Sequence, residues 1–430
     1  EALKSFLNRD IPNIKGIKSG EKIITSENFD KEIPDIISRL NSSYIFLQGP
    51  PGTGKTFQSA NAIVELLKKN KKIAITANSH KVIHNLLERI ENLASKQNFL
   101  FKGLKKGNAN DVDSFYEGKL IKTDNNEKHY IDGLKENKIL LYAGTKYHLS
   151  SWFYRSKIDY LFIDEAGQIS IADLIALGGV AKNIILVGDQ LQLGQPTQGS
   201  HPGLSNNSVL DYLLQGKDTV EDNRGVFLSR TYRMHPNINS FISENFYENK
   251  LLTNSENKIR KIEFPKNFFI NNEGIHTILM DHEDCTQTSE QEFKKIDEII
   301  KKLIGKKFTD ADKKERPLKI EDFLIVSPYN AQVNFLLARL PEGTRCGTID
   351  RFQGQEAPVT IISMTSSDLE SLPRDKSFFF NRNRLNVAIS RAQCLSVILF
   401  NPKLLESPPK TYEDFKMINN FQKLLKYKTK

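Results

Sequence analysis

Gly49-Pro50-Pro51-Gly52-Thr53-Gly54-Lys55-Thr56 decides how the rest of this chain is read. Apolar Tyr44-Ile45-Phe46-Leu47 stands before it, and a helical pattern through Phe57, Ala60, Ile63, Val64 and Leu67 follows. Strand, glycine loop, helix is the order a phosphate cradle needs. The glycines let successive backbone N–H groups turn inward around an anion, and the positive end of the following helix dipole adds to their attraction. Lys55 can reach β- and γ-phosphates, and the Thr56 hydroxyl can ligate Mg²⁺. Gly49, Gly52, Thr53, Gly54, Lys55 and Thr56 are therefore the candidate contacts for ATP.

Downstream, short apolar runs alternate with helical patterns: Ile73-Ala74-Ile75-Thr76 and then Val82 to Leu93, Ile139-Leu140-Leu141-Tyr142, Tyr160-Leu161-Phe162-Ile163, and Ile184-Ile185-Leu186-Val187. Near-continuous apolar strands of this kind predict a parallel sheet covered on both faces, hence an α/β fold. The polar, Lys- and Asn-rich stretch from Phe99 to Lys138 interrupts the rhythm and reads as a clamp or a solvated excursion. A second alternating series begins near Gly225, with strands expected at 225–228, 277–280, 323–326, 359–362 and 395–399, and Ser289 with Glu292 as a capping box. Thr309 to Lys319 reads as a charged loop. The second series has no phosphate loop, so it must reach a nucleotide through side chains. The expected division is a lead-in over 1–43, a first domain over 44–220 and a second over 221–430.

With 430 residues, 39% of them hydrophobic, the chain can bury substantial cores. Lys and Arg total 61 against 52 acids, a net charge of +9, which favours a polyanionic partner without naming one. Cys285, Cys346 and Cys394 lie too far apart for a zinc or iron–sulfur pattern, and a reducing interior is the simpler assignment. No apolar run approaches the roughly 20 residues a membrane span requires, so no membrane partner and a soluble, cytoplasmic protein are expected. The chain opens on Glu1 rather than Met, as a fragment of something longer would.

Two acids, Asp164 and Glu165, follow the Tyr160–Ile163 run, where α/β sheets put their ligands. Asp164 suits the Mg²⁺ shell, and Glu165 suits the base that polarises an attacking water. Gln192, after the Ile184–Val187 run, is the candidate amide for telling ATP from ADP by one hydrogen bond.

Three further strings follow in order: Arg230-Thr231-Tyr232-Arg233-Met234-His235-Pro236, Asp350-Arg351-Phe352-Gln353-Gly354-Gln355-Glu356, and Arg384-Leu385-Asn386-Val387-Ala388-Ile389-Ser390-Arg391-Ala392. In that order they resemble superfamily 1 helicases, specifically the branch of the nonsense-mediated-decay helicase and the Okazaki-flap nuclease-helicase. The runs 164–168, 198–202 and 352–358 look like the helicase half of bacterial RecB-like nuclease–helicase fusions. The resemblance covers about Tyr44 to Pro402. It implies two tandem RecA-like P-loop domains with an ATP cleft between them, Tyr232 stacked on the base, Arg233 and Arg391 as arginine fingers, and Glu356 with Gln192 sensing the γ-phosphate.

The same resemblance implies that Ser79, His80, Thr145, Pro328, Tyr329 and Thr348 touch single-stranded nucleic acid, with DNA as the expected substrate and 5′-to-3′ movement. A nuclease domain would lie in a missing part of the chain or in a partner, and DNA repair is the implied setting. The pattern departs from the family in having no Gln before Tyr44, which leaves nucleotide preference open, and in its string Ala77-Asn78-Ser79-His80. Two rival readings stay open: an ATP-gated nucleic-acid clamp that does not unwind, and an oligomeric ATPase that remodels proteins.

Overall fold

The computed structural model describes residues 1–26, 28–108, 110–194, 203–265, 268–352, 354–368, 372, 380–406 and 412–427. Gln353 and the run 198–202, both used in the family comparison above, lie outside them. The chain divides into two compact units. The first comprises Glu1–Pro50, Gly54–Gln190 and Gly194–Leu228; the second comprises Pro51–Thr53, Leu191–Leu193 and Ser229–Lys430.

The strands of the first unit are β1 (Tyr44–Gln48), β2 (Ile73–Thr76), β3 (Gly103–Lys106), β4 (Ile121–Asp124), β5 (Leu141–Ala143), β6 (Ile158–Ile163), β7 (Ala181–Gly188) and β8 (Gly225–Phe227). They form one sheet in the order β4-β3-β5-β2-β6-β7-β1-β8, and every pairing is parallel. Two-residue alternation splits the apolar runs between two cores. Ile45, Leu47, Ile73, Ile75 and Phe162 face helices Lys55–Lys68 and His80–Lys96, burying Ile63, Val64, Leu67, Leu86, Leu87 and Ile90. Tyr44, Phe46, Ala74, Leu161 and Ile163 face the other way, against Leu174, Leu177, Val209 and Leu210. A sheet buried on both faces must read as continuous apolar runs, and these strands do.

Three expectations change here. The 99–138 stretch is not an excursion: β3 and β4 extend the sheet at its edge, and helix Glu127–Glu136 packs Tyr130 and Leu134 into the second core. The strand at Gly225 does not open the second series but hydrogen-bonds in parallel to β1, completing the first sheet. The lead-in is also part of the unit, since helix Ala2–Leu7 sets Phe6 edge-on to Tyr44, with ring centroids 5.4 Å apart.

The second unit contains β9 (Arg230–Thr231), β10 (Leu252–Thr253), β11 (Lys261–Ile262), β12 (Gly274–Leu279), β13 (Lys307–Thr309), β14 (Glu315–Pro317), β15 (Phe323–Val326), β16 (Arg345–Gly347), β17 (Ala357–Ser363) and β18 (Ala392–Phe400). Its main sheet is parallel throughout, in the order β12-β18-β17-β15-β16. Helix Glu290–Leu303 buries Ile296, Ile299, Ile300 and Leu303 against it. The charged stretch after Thr309 is the turn of an antiparallel hairpin, β13–β14, to which β11 adds a third strand. Of the expected capping box only half forms: Ser289 Oγ accepts the Glu292 N–H at 3.2 Å, while the Glu292 carboxylate turns into the core. All three cysteines are unbridged.

Candidate nucleotide and nucleic-acid sites

In the first unit, β1 delivers the chain into the glycine loop, and helix Lys55–Lys68 leaves it. Gly52 at φ +74° and Gly54 at φ +81° hold the left-handed conformation that turns the loop, and Gly54 is the helix N-cap. A side chain at either position would be strained, which is why the motif spends glycine there. The Gly49 N–H donates to the Gly188 carbonyl at 2.9 Å, tying the start of the loop to the end of β7. The Lys55 ammonium donates to the Gly49 carbonyl at 2.6 Å, so its charge is folded over the cradle it would share with a phosphate. Thr56 sits half-buried in the first turn of the helix, and Thr53 is buried.

β6 ends directly in Asp164, which is 5% exposed. Burial and the neighbouring Glu165 charge push its carboxyl up to about 7, against the Glu165 N–H and the Lys55 ammonium, which favour the ionised form. The Glu165 amide donates to Asp164 Oδ1 at 2.9 Å, and Glu165 itself adopts φ +51°. A non-glycine residue in that region is held there by its surroundings, and such residues cluster at functional sites. Two carboxyls in tandem, one buried and costly to ionise, form a donor set that a dication would relieve. Asp164 with Thr56 thus fits Mg²⁺, although among the described residues no group of three or more His, Cys, Asp or Glu is arranged as a metal site. Gln192 follows β7 and is 7% exposed.

In the second unit, Arg233, Glu356 and Arg391 come together. Arg233 Nε donates to Glu356 Oε2 at 2.5 Å and Nη1 to the Ser390 carbonyl at 3.2 Å. Glu356 Oε1 accepts from Gln393 Nε2 at 2.7 Å. Desolvation alone would raise the Glu356 carboxyl, but Arg233, Gln393 and Arg260 outweigh it and hold it below its usual range. Arg391 is 2% exposed and donates from Nη1 to the Gln355 carbonyl at 3.2 Å. A large buried guanidinium at the foot of β18 is rare unless something needs it there. Tyr232 stands 55% exposed, and Arg260 Nη2 donates to its carbonyl at 3.1 Å.

The remaining candidates fall at carboxyl ends of adjacent strands, taken unit by unit. In the first, Ser79 and His80 follow β2 and Thr145 follows its neighbour β5. Ser79 caps helix His80–Lys96 through the Val82 N–H at 3.3 Å, Thr145 is the N-cap of Lys146–Leu149, and His80 Nδ1 lies 3.2 Å from the Lys105 ammonium. Burial and then Lys105 lower the His80 pKa, favouring neutral imidazole. In the second, Pro328 and Tyr329 follow β15 and Thr348 follows β16. Pro328 and Thr348 are half-buried. Tyr329 is 5% exposed, with its hydroxyl 3.5 Å from Ser366 Oγ, so its ring is turned inward rather than presented for stacking.

Two family models, each described as an AAA domain, match residues 37–205 and 206–403. The chain is 27% identical over 385 residues to the DNA replication ATP-dependent helicase/nuclease dna2 of Schizosaccharomyces pombe, covering 85% of this chain and 27% of that protein. Against the ATP-dependent helicase upf1 of the same organism it is 25% identical over 464 residues, covering 93% and 47%. The chain is similar to superfamily 1 helicases. Its two parallel-sheet units are tandem RecA-like domains. The chain spans between about a quarter and a half of the length of these two relatives.

Some residues at these sites carry no signal in the sequence. Lys105 is fully buried, its amine donating to the Ser114 carbonyl beside His80, and burial lowers it to about 8. Asn257 donates to the carbonyls of Thr231 at 3.2 Å and Met234 at 3.0 Å, shaping the Tyr232–Arg233 turn from 25 residues downstream. An asparagine in a polar stretch carries no signal of that kind. Tyr147 and Trp152, after β5, are 78% and 75% exposed; large exposed aromatics could be singled out only once the fold shows which ring stays outside.

Proposed function

We propose that this chain is an ATP-dependent nucleic-acid helicase or translocase. The observation that carries the reading is Lys55 folded over its own phosphate loop while Asp164 and Glu165 close the carboxyl end of β6 in the same parallel sheet. Similarity to superfamily 1 helicases supports the choice of nucleic acid over protein as the polymer acted on.

In this reading the loop N–H groups and Lys55 bind the triphosphate, with Gly49, Gly52, Thr53 and Gly54 shaping the loop, and Tyr232 stacks on the base. Thr56 and Asp164 would hold Mg²⁺, which would supply positive charge against the negative charge developing on the phosphates. Glu165 orients and deprotonates the attacking water. Arg233 exchanges part of its hold on Glu356 for the γ-phosphate, Arg391 supplies a second guanidinium, and Gln192 and Glu356 register whether that phosphate is present. Hydrolysis removes the anion these groups gather around, so bond cleavage becomes a change of shape.

Ser79, His80, Thr145, Pro328, Tyr329 and Thr348 take single-stranded nucleic acid, with Tyr329 positioning its neighbours from below. DNA, 5′-to-3′ movement, kinship with RecB-like nuclease–helicase fusions, a nuclease partner, a cytoplasmic setting and a role in DNA repair complete the proposal. No helix among the described residues is long and apolar enough to cross a membrane.

The test is ATPase activity titrated with single-stranded DNA, single-stranded RNA, duplex and no polymer, followed by strand displacement. Stimulation by single strands with displacement supports the motor, and Lys55→Ala should abolish both. Stimulation without displacement or translocation would favour an ATP-gated clamp.

A further inference from the structure

The segment leaving β5 carries more aromatic surface than its packing uses. Within eight residues, Tyr147 and Trp152 are 78% and 75% exposed, whereas His148, Leu149, Phe153 and Tyr154 are at most 9% exposed. The buried set is locked. His148 Nε2 lies 2.9 Å from the Tyr154 hydroxyl, the His148 ring stands edge-on to Tyr130 with centroids 4.7 Å apart, and the Ser151 N–H donates to the His148 carbonyl at 3.1 Å. The segment runs as helix Lys146–Leu149 and 3₁₀ turn Trp152–Tyr154. Three rings thus anchor the backbone while the remaining two are held out in water, an arrangement that costs hydrophobic free energy unless a ligand covers them.

We propose that Trp152, with Tyr147, is a stacking platform for bases of the single-stranded nucleic acid. This rests on the nucleic-acid reading above and names where the strand goes next after Thr145. At helical rise the seven residues from Thr145 to Trp152 span on the order of 10 Å. The surroundings suit a polyanion: Thr145, Ser150 and Ser151 offer hydroxyls, and Arg155 and Lys157 are exposed cations. The Lys146 ammonium, fixed at 2.6 Å by Asp173, lies 5.5 Å from the Tyr147 ring centroid. Separate exposed rings among cations and hydroxyls fit the base–aromatic and phosphate contacts of a strand-binding groove better than the contiguous apolar patch of a protein interface.

Trp152 is the only tryptophan in the chain, so the protein's intrinsic indole fluorescence reports on this one site. The experiment titrates the full chain with oligo(dT) and oligo(rU), following both tryptophan emission and the anisotropy of a fluorescein label on the oligonucleotide. A base stacked on Trp152 should quench the indole as anisotropy rises. Trp152→Ala should weaken binding about tenfold, with Trp152→Phe recovering most of the loss, and thermal melting of all variants should match the parent because the ring is exposed. Binding seen by anisotropy with unchanged indole emission and an unaffected Trp152→Ala overturns this inference while leaving the nucleic-acid reading intact. No anisotropy change with either oligonucleotide overturns both.

Discussion

Arg233 is the residue whose removal separates chemistry from folding most cleanly. Its guanidinium is held at two points, by Glu356 at 2.5 Å and the Ser390 carbonyl at 3.2 Å, and its side chain is 11% exposed against 41% for Glu356. A partly exposed pair of this kind contributes about 1 kcal/mol or less to stability. Glu356 also keeps its Gln393 partner when Arg233 is gone. Arg233→Ala should therefore melt within a few degrees of the parent. In catalysis the same guanidinium would face charge spreading over the γ-phosphoryl oxygens, where a finger is worth about 10³ to 10⁵ in rate, or roughly 4 to 7 kcal/mol of barrier. We expect kcat of Arg233→Ala in the polymer-stimulated phosphate-release assay to fall by that factor. ATP affinity, read with a fluorescent nucleotide analogue, should change only a few-fold, because the interaction is made in the transition state. Arg233→Lys should fall between the two, since a point charge on a flexible stem cannot hold two acceptors and a phosphate together as the planar fork does. Turnover of Arg233→Ala within tenfold of the parent would refute the assignment.

Glu165→Gln keeps shape while removing the proposed base. Single-turnover hydrolysis should slow by about 10² to 10⁴ with ATP and single strands still bound, and undiminished turnover would point to another base. The His148 imidazole gives the first unit an acid-labile point: burial first and the Lys106 charge second lower its pKa from 6.5 to about 4. Because the folded state resists a proton that the unfolded chain accepts, stability is full above about pH 6.5 and declines as pH falls toward 4, by about 3 kcal/mol in all and about 2 by pH 5. Melting temperature measured across that window should drop, and His148→Gln should flatten the slope. Affinity for single strands should fall linearly in log–log plots against salt as phosphate contacts release counterions. A flat response would remove Ser79, Thr145 and their neighbours from any phosphate track.

How legible this molecule was in its sequence depended on whether a segment's partners were local. The strand–loop–helix at 44–68 and the acids after β6 were readable because their chemistry requires fixed residue types at fixed spacing, and β1, β2, β6 and β7 because a doubly buried strand must be apolar nearly throughout. β3 and β4 were not. Gly103-Leu104-Lys105-Lys106 and Ile121-Lys122-Thr123-Asp124 hold one apolar side chain each besides glycine, so no periodicity marks them. What secures that region is remote: the Glu91 carboxylate, on helix His80–Lys96, accepts the N–H groups of Leu120 at 2.6 Å, Ile121 at 2.8 Å and Lys119 at 3.2 Å. A three-residue strand such as β8 likewise shows its apolar face without showing which sheet will take it.

Glu292 shows the same competition in the second unit. Its spacing from Ser289 favours a cap, worth about 1 kcal/mol at a helix start. The folded chain instead offers its carboxylate the Ser363 hydroxyl at 2.5 Å, the Thr365 N–H at 3.0 Å and a His282 ring nitrogen at 3.3 Å. Several hydrogen bonds to a buried carboxyl group outweigh one cap, since leaving those donors unmet in the core would cost more than the cap returns, and the Ser289 N–H donates instead to Gln332 Oε1 at 3.0 Å. The choice has a structural consequence. Thr365, at φ +72°, is held in the left-handed region by that carboxylate and by its own hydroxyl, 3.2 Å from Ser327 Oγ. Ser327 precedes Pro328 and Tyr329, and Ser366 reaches the Tyr329 hydroxyl, so a residue read as a helix cap fixes the backbone at the carboxyl ends of β15 and β17. The ends of those strands are where the proposed nucleic-acid contacts of this unit reside, and their geometry is thus set by a carboxylate that local sequence assigns to something else.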